Sequence, residues 1–378
     1  MIYLNNASTS YPKPDEVIQA ATMYLNKMPI DSKRTTYKKK QEDVISDCRK
    51  ELAQLFNAED SNLITFTSCA THSLNLVLQG LDLKDSHVIT TNTEHNSVIR
   101  PLTALQETNG TEVTYVECDK YGFMNPDDIA QYIRPNTKVI VASHSSNVVG
   151  TVLDIKTISK IAHNNNLIFV VDASQSAGCI SIDVQEMGID VLIFTGHKSL
   201  YGIVGTGGIY IKDGIDIKPL IFGGTGIKSE LLYQPKERPV YYESGTPNIV
   251  GIAALKAGVS FIRKKGIEEM NKFKTTLFNQ VIHEFEKYSE ITMYGKKEYY
   301  APLISFNING MAPEKVGSIL GNSYDIIVRT GLHCAPLIHK KLGTYPEGTV
   351  RISFSCFTTE EDISYFLEAI DQIVTNSN

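Results

Sequence analysis

A chain of 378 residues has room for one large domain and a smaller one, and 42% hydrophobic with 21% charged residues is the composition of an ordinary folded protein. A net charge of -6 supplies no basic excess for nucleic acid, and no apolar run approaches membrane-spanning length. The opening Met1-Ile2-Tyr3-Leu4 lacks the basic and apolar blocks of a signal peptide. Cys48, Cys69, Cys118, Cys179, Cys334 and Cys356 are scattered without a CxxC pair, which argues against a zinc cage or a disulfide framework. The expectation is a cytoplasmic protein with mostly buried thiols and no metal site. The one basic run, Lys38, Lys39 and Lys40, reads as a solvated helix face.

In chain order, short apolar runs at 63–67, 87–91, 113–116, 138–142, 167–171 and 190–194 predict buried strands. Apolar residues three and four apart over 73–81 and 155–162 predict helices between them. Strands alternating with helices imply a largely parallel sheet covered on both faces, with ligands bound beyond the carboxyl ends of the strands. Past residue 250 the pattern changes. Residues 251–288 read as long helix broken at Gly266, followed by strands at 303–308, 326–328 and 350–354. Thr358, with Glu361 three residues on, predicts a capping box opening a last helix. The expected division is a large α/β domain over 15–250 and a small α+β domain built from 1–14 and 251–378.

The strand ends carry the chemistry. After the first strand, Thr67-Ser68-Cys69-Ala70-Thr71-His72 leads into a helix whose N–H groups suit a phosphate, although a plain N-cap reads the same way. After the second stands Glu94-His95, where a histidine can stack on an aromatic cofactor or serve as a structural hydrogen bonder. Asn147 after the fourth could donate to a ring oxygen or be an ordinary loop residue. Asp172 ends the fifth, fitting a protonated pyridine nitrogen, magnesium or a helix cap. Thr195-Gly196-His197-Lys198 follows the sixth, and a lysine there suits a Schiff base beside a phosphate anchor. Aspartate and then lysine after consecutive strands, with a phosphate-type helix start upstream, outweighs a lone surface lysine. Gly205-Thr206-Gly207-Gly208 completes no GxGxxG, and no GxxxxGK[ST] occurs, so those glycines read as shaping the turn into the next strand.

With these residues go Tyr3-Leu4-Asn5-Asn6-Ala7-Ser8, Ser146-Asn147-Val148-Val149-Gly150-Thr151, Val171-Asp172-Ala173-Ser174-Gln175, Ser244-Gly245-Thr246-Pro247-Asn248 and Arg329-Thr330-Gly331-Leu332-His333-Cys334-Ala335. Over essentially its whole length the chain resembles class V aminotransferase-fold enzymes, and among them the cysteine desulfurase and selenocysteine lyase family. The resemblance implies the fold type I of pyridoxal-phosphate enzymes, a mostly parallel seven-stranded sheet sandwiched by helices with a smaller C-terminal domain. It implies pyridoxal 5'-phosphate held by Lys198, with His95 on the ring, Asp172 at its nitrogen and Gln175 and Asn147 toward its oxygen. Ala70, Thr71, Thr195 and His197 would hold the phosphate, and Thr246 that of a neighbouring subunit in a homodimer. Cys334, on an exposed loop, would take sulfur from L-cysteine as a persulfide with release of alanine, and Arg351 would clamp the substrate carboxylate.

The loop at Cys334 looks like that of the second group of desulfurases, of the SUF type. Leu332 stands where that group commonly has the first of two histidines, and Ser68-Cys69-Ala70-Thr71-His72 departs from the better-known phosphate loops. The resemblance implies a sulfur-acceptor protein or small thiol as partner, with iron–sulfur cluster assembly among the destinations. Selenocysteine lyase, another class V reaction without a persulfide, and a non-catalytic binding protein remain open at this point.

Overall fold

A computed structural model describes residues 1–28, 42–295 and 301–376; the lysine run at 38–40 lies outside them. The strands are β1 (Ile2–Tyr3), β2 (Ile64–Thr67), β3 (His87–Thr91), β4 (Glu112–Val116), β5 (Thr137–Ser143), β6 (Ile168–Asp172), β7 (Val191–Thr195), β8 (Gly207–Ile211), β9 (Ile291–Tyr294), β10 (Leu303–Ile308), β11 (Ile326–Ile327), β12 (Arg329–Gly331) and β13 (Thr349–Ser353). The α-helices are α1 (Asp15–Asn26), α2 (Val44–Phe56), α3 (Ala70–Gly80), α4 (Asn96–Asn109), α5 (Ile155–Asn164), α6 (Ile249–Lys265), α7 (Ile267–Phe285), α8 (Pro313–Tyr324), α9 (Pro336–Leu342) and α10 (Glu360–Thr375).

Seven strands form the main sheet in the order β2-β8-β7-β6-β5-β3-β4. Neighbours are parallel except around β8, which runs antiparallel to both β2 and β7. The expected mostly parallel seven-stranded sheet is therefore present. Its two faces bury separate apolar clusters, one holding Phe169, Phe194 and Leu255, the other Val141, Ile193 and Leu76. Burial on both faces is why these strands are continuous apolar runs and not alternating ones. The seventh strand, β8, begins within the glycine run, at Gly207, while Gly205 and Thr206 stay in the turn before it. A Cβ on Gly208 would lie 2.3 Å from the Phe194 ring and 2.7 Å from the Thr65 carbonyl oxygen, so the glycines let β8 insert between its neighbours.

A four-stranded antiparallel sheet, ordered β12-β13-β10-β9, packs with α7, α8 and α10 around Phe285, Phe306 and Phe366. The N-terminal β1 pairs with β11. Three expectations need correction. The strand expected at 326–328 is β11, which ends at Ile327, and a separate strand, β12, follows at Arg329–Gly331 in another sheet, since β11 pairs with β1 while β12 pairs with β13. The last helix is capped by Thr359 with Asp362, one residue later than Thr358 with Glu361. Thr358 turns inward, where its hydroxyl accepts the Ser355 N–H at 3.1 Å. The six thiols are all free, but Cys69, Cys334 and Cys356 are only half-buried, so burial holds for three of the six. Gly266, at φ 84°, does separate α6 from α7. Among the described residues no helix is long and apolar enough to cross a membrane.

Candidate active site

Beyond the carboxyl ends of β5, β6 and β7 lies a cavity of about 230 Å³. Ten of the expected site residues line it: Ala70, Thr71, His95, Asn147, Asp172, Gln175, Thr195, His197, Lys198 and Arg351. All but Arg351 arrive at or just beyond a strand end or helix start of the large domain, because parallel strands bring residues distant in sequence to one edge, and Arg351 comes from β13 of the small sheet.

One end of the cavity is a cup for an anion. Cys69 gives α3 no side-chain cap, so the first N–H groups of that helix are left without helical partners. Thr195 Oγ1 and His197 Nδ1 are buried atoms without hydrogen-bond partners. Buried polar atoms are nearly always satisfied, so this pair, beside a free helix start, fits a bound phosphate. Gly207 is required here, since a Cβ would come within 2.9 Å of the Cys69 backbone.

The middle of the cavity holds Lys198, Asp172 and His95. Burial of Lys198 lowers its pKa to about 8, with Arg351 and Arg329 acting in the same direction and Asp172 opposing them. A neutral amine is the form that condenses with a carbonyl. Asp172 closes β6, and Ser174 holds it through the backbone N–H at 2.9 Å and the hydroxyl at 2.5 Å. His95 caps α4, and its Nδ1 accepts the Ser97 N–H at 3.0 Å, which leaves the proton of the neutral ring on Nε2. Burial, reinforced by Lys198, lowers its pKa to about 4, so the ring is neutral and suited to lying against an aromatic system.

The far end is cationic. Arg351 is completely buried on β13 and donates to the Asn147 carbonyl at 2.7 Å and to Ser8 Oγ at 3.0 Å. Arg329 on β12 reaches the same Ser8 hydroxyl at 3.1 Å. Burial, then Arg329, lowers the Arg351 pKa to about 9. Two guanidinium groups converge with no carboxylate paired to either among the described residues, which suits a carboxylate ligand.

Cys334 does not line the cavity. It stands behind Arg329, whose Nη2 donates to its sulfur at 3.3 Å. His333 and Cys334 both have positive φ, 48° and 60°, an uncommon backbone for non-glycine residues. The loop is pinned there because Asn96 donates its N–H to the Cys334 carbonyl at 2.7 Å and Asn147 Nδ2 donates to the His333 carbonyl at 2.6 Å. The thiol is half-buried, not on an exposed loop. Gln175 Nε2 likewise donates to the Ala7 carbonyl at 3.0 Å. Thr246 is exposed and outside the cavity of its own chain.

A family model described as aminotransferase class V matches residues 2–366. The chain belongs to that family. It is 33% identical over 380 residues to a probable cysteine desulfurase of Methanothermobacter thermautotrophicus, covering 98% of this chain and 94% of the relative. A probable cysteine desulfurase of Pyrococcus abyssi is 34% identical, with 99% and 94% covered. The apo structure of cysteine desulfurase from Thermococcus onnurineus NA1 superposes with a TM-score of 0.90 at 31% identity, covering 99% of this chain and 95% of that one. Class V enzymes depend on pyridoxal phosphate, and the anion cup, the buried lysine and the strand-end aspartate fit that group.

Sequence reasoning missed Ser8, Arg329 and Glu94. Ser8 and Arg329 lie inside the stretches that carry the family resemblance, which was the available signal. Glu94 is fully buried and accepts from Thr91 Oγ1 at 2.6 Å, Ser143 N at 3.0 Å and Ser143 Oγ at 2.6 Å. Burial pushes its carboxyl up to about 7. Nothing in its residue type or spacing marked it apart from neighbouring His95.

Proposed function

We propose that this chain is a cysteine desulfurase that moves the sulfur of L-cysteine onto Cys334 as a persulfide and releases L-alanine. The observation that carries the reading is a thiol held 3.3 Å from Arg329, beside a cavity that joins the buried Lys198 to two arginines with no carboxylate paired to either among the described residues. Pyridoxal phosphate, when bound, supplies an electron sink for the bonds at the substrate Cα. The N–H of Ala70 and the side chains of Thr71, Thr195 and His197 would hold its phosphate, Asp172 its ring nitrogen, His95 its face, and Asn147 and Gln175 its ring oxygen.

The protein's own groups do the rest. Arg351, with Arg329 beside it, takes the substrate carboxylate and so fixes which Cα bond faces Lys198. Lys198 Nζ removes the Cα proton and returns it. Cys334 Sγ then bonds to the substrate sulfur while the pair of the Cβ–S bond stays with carbon, which takes a proton and leaves as alanine. A small thiol or an acceptor protein removes the sulfur by exchange, with iron–sulfur cluster assembly as one destination. We extend the reading to a cytoplasmic homodimer in which Thr246 reaches the partner site; six free thiols and the exposure of Thr246 support it.

The test is sulfide and alanine release from L-cysteine with a thiol reductant. Cys334→Ala is expected to lose sulfide release by roughly two orders of magnitude or more while the yellow colour is kept. Sulfide released by the variant as fast as by wild type would overturn the persulfide step.

A further inference from the structure

A second, smaller cavity of about 30 Å³ lies between the two sheets and shares Ala7 and Gln175 with the first. Cys179 and Lys274 both face it. Lys274, on α7, is 3% exposed, and lysine is rarely buried unless paired with an acid. Its Nζ donates instead to the Cys179 sulfur at 3.4 Å, and no carboxylate is paired with it among the described residues. One turn earlier on the same face, Asn271 Nδ2 donates to the Cys179 carbonyl and Asn271 Oδ1 accepts from the thiol at 3.6 Å. The sulfur is thus gripped between two side chains of one helix, with an amine at near contact and a space large enough for a water-sized molecule beside it.

We propose that Cys179 and Lys274 form a reversible oxidative crosslink, with hydrogen peroxide or another small hydroperoxide as the oxidant. Peroxide transfers one oxygen to the Cys179 thiol, giving a sulfenic acid and water; sulfur is oxidised by two electrons and the O–O bond is reduced. The Lys274 ammonium gives up one proton, its neutral Nζ attacks the sulfur, an S–N bond forms as the S–O bond breaks, and the hydroxyl leaves as water with a second proton from the nitrogen. A sulfenic acid condenses readily with a nitrogen held against it, and here the Lys274 amine stands 3.4 Å from the sulfur. Two equivalents of a thiol reverse the bond, returning thiol and amine and forming a disulfide of the reductant.

The bond would have a mechanical consequence. α7 contributes Met270 to the core of the large sheet and Leu277 to the core of the small one. Lys274 lies between them, so the crosslink fastens the helix spanning both cores to the turn after β6, directly behind the cofactor cavity.

The experiment uses the cofactor-loaded protein carrying Cys334→Ser, exposed to graded hydrogen peroxide, alkylated, digested without reductant and analysed by mass spectrometry. The expected product is the Cys179 peptide joined to the Lys274 peptide, two hydrogens lighter than their sum, lost on treatment with dithiothreitol and absent from Lys274→Met. Lys274→Arg, which keeps the charge, is expected to fold with Cys179 accumulating as sulfinic acid in place of the crosslink. Recovery of Cys179 from the Cys334→Ser protein as free thiol, as sulfinic or sulfonic acid alone, or in a disulfide with Cys356 overturns the proposal.

Discussion

Burial of charge sets the behaviour of single residues at this site. Lys198 has its pKa brought down to about 8, chiefly by burial. The rate at which the cofactor-free protein captures pyridoxal phosphate is therefore expected to climb about tenfold per pH unit below 8 and to level off above it. Stopped-flow absorbance of the growing visible band measures this, and a rate still rising steadily beyond about pH 9.5 would show an ordinary lysine. Glu94 acts on stability. Its carboxyl is pushed up from 4.5 to about 7 in the folded protein, so the folded state holds the proton more tightly than the unfolded chain. Below 4.5 both states are protonated and nothing is lost; stability falls as pH rises through that window and stays reduced above it. Glu94→Gln removes this dependence. Relative to wild type it is expected to gain on the order of a few kcal/mol between about pH 4 and pH 8, read from urea unfolding at both pH values.

At the scale of elements, periodicity found the buried strands and helices, and local chemistry left the ends ambiguous. Thr358 and Thr359 are adjacent, and each has an acidic residue three positions on. Burial separated them: Thr358 is buried and bonded to Ser355, whereas Thr359 and Asp362 exchange side-chain and backbone bonds at the exposed start of α10. Thr359→Ala is expected to cost about 1 kcal/mol of unfolding free energy with no change in denaturant slope. The same limit misplaced the start of β8, which was expected only after the glycine turn. Gly207 and Gly208 resemble turn residues by propensity, and only the close approach of Phe194 and the Cys69 backbone shows why a strand needs them. The chain switches sheets at Val328 because β11 pairs with β1, more than three hundred residues away, whereas the next strand, β12, pairs with nearby β13.

At the scale of the whole molecule, the stretch from 220 to 233 carries Ile221, Phe222, Leu232 and Tyr233 exposed near the loop that bears Thr246. In the proposed homodimer this surface is covered. Wild type is expected to sediment at twice the mass of one chain, and Phe222→Glu is expected to shift it toward the monomer and to weaken cofactor retention, measured by sedimentation and by loss of yellow colour on gel filtration. The cavity is legible in sequence to an unusual degree. In a parallel sheet the residue after each strand is bound to reach one edge, so Asp172, His95, Thr195 and Lys198 could be assembled from strand positions alone. Arg329, Ser8 and the grip on Cys334 could not. They come from β12, the N-terminal segment and α4, and meet only because the small sheet folds back over the large one. Sequence by itself determined the local periods, the mostly parallel sheet and the chemistry at its edge, because those depend on neighbours along one strand. The tertiary structure decided which thiol stands near the arginines, how far it is buried and what stands beside each buried lysine, because charge and reactivity depend on what is packed against a group.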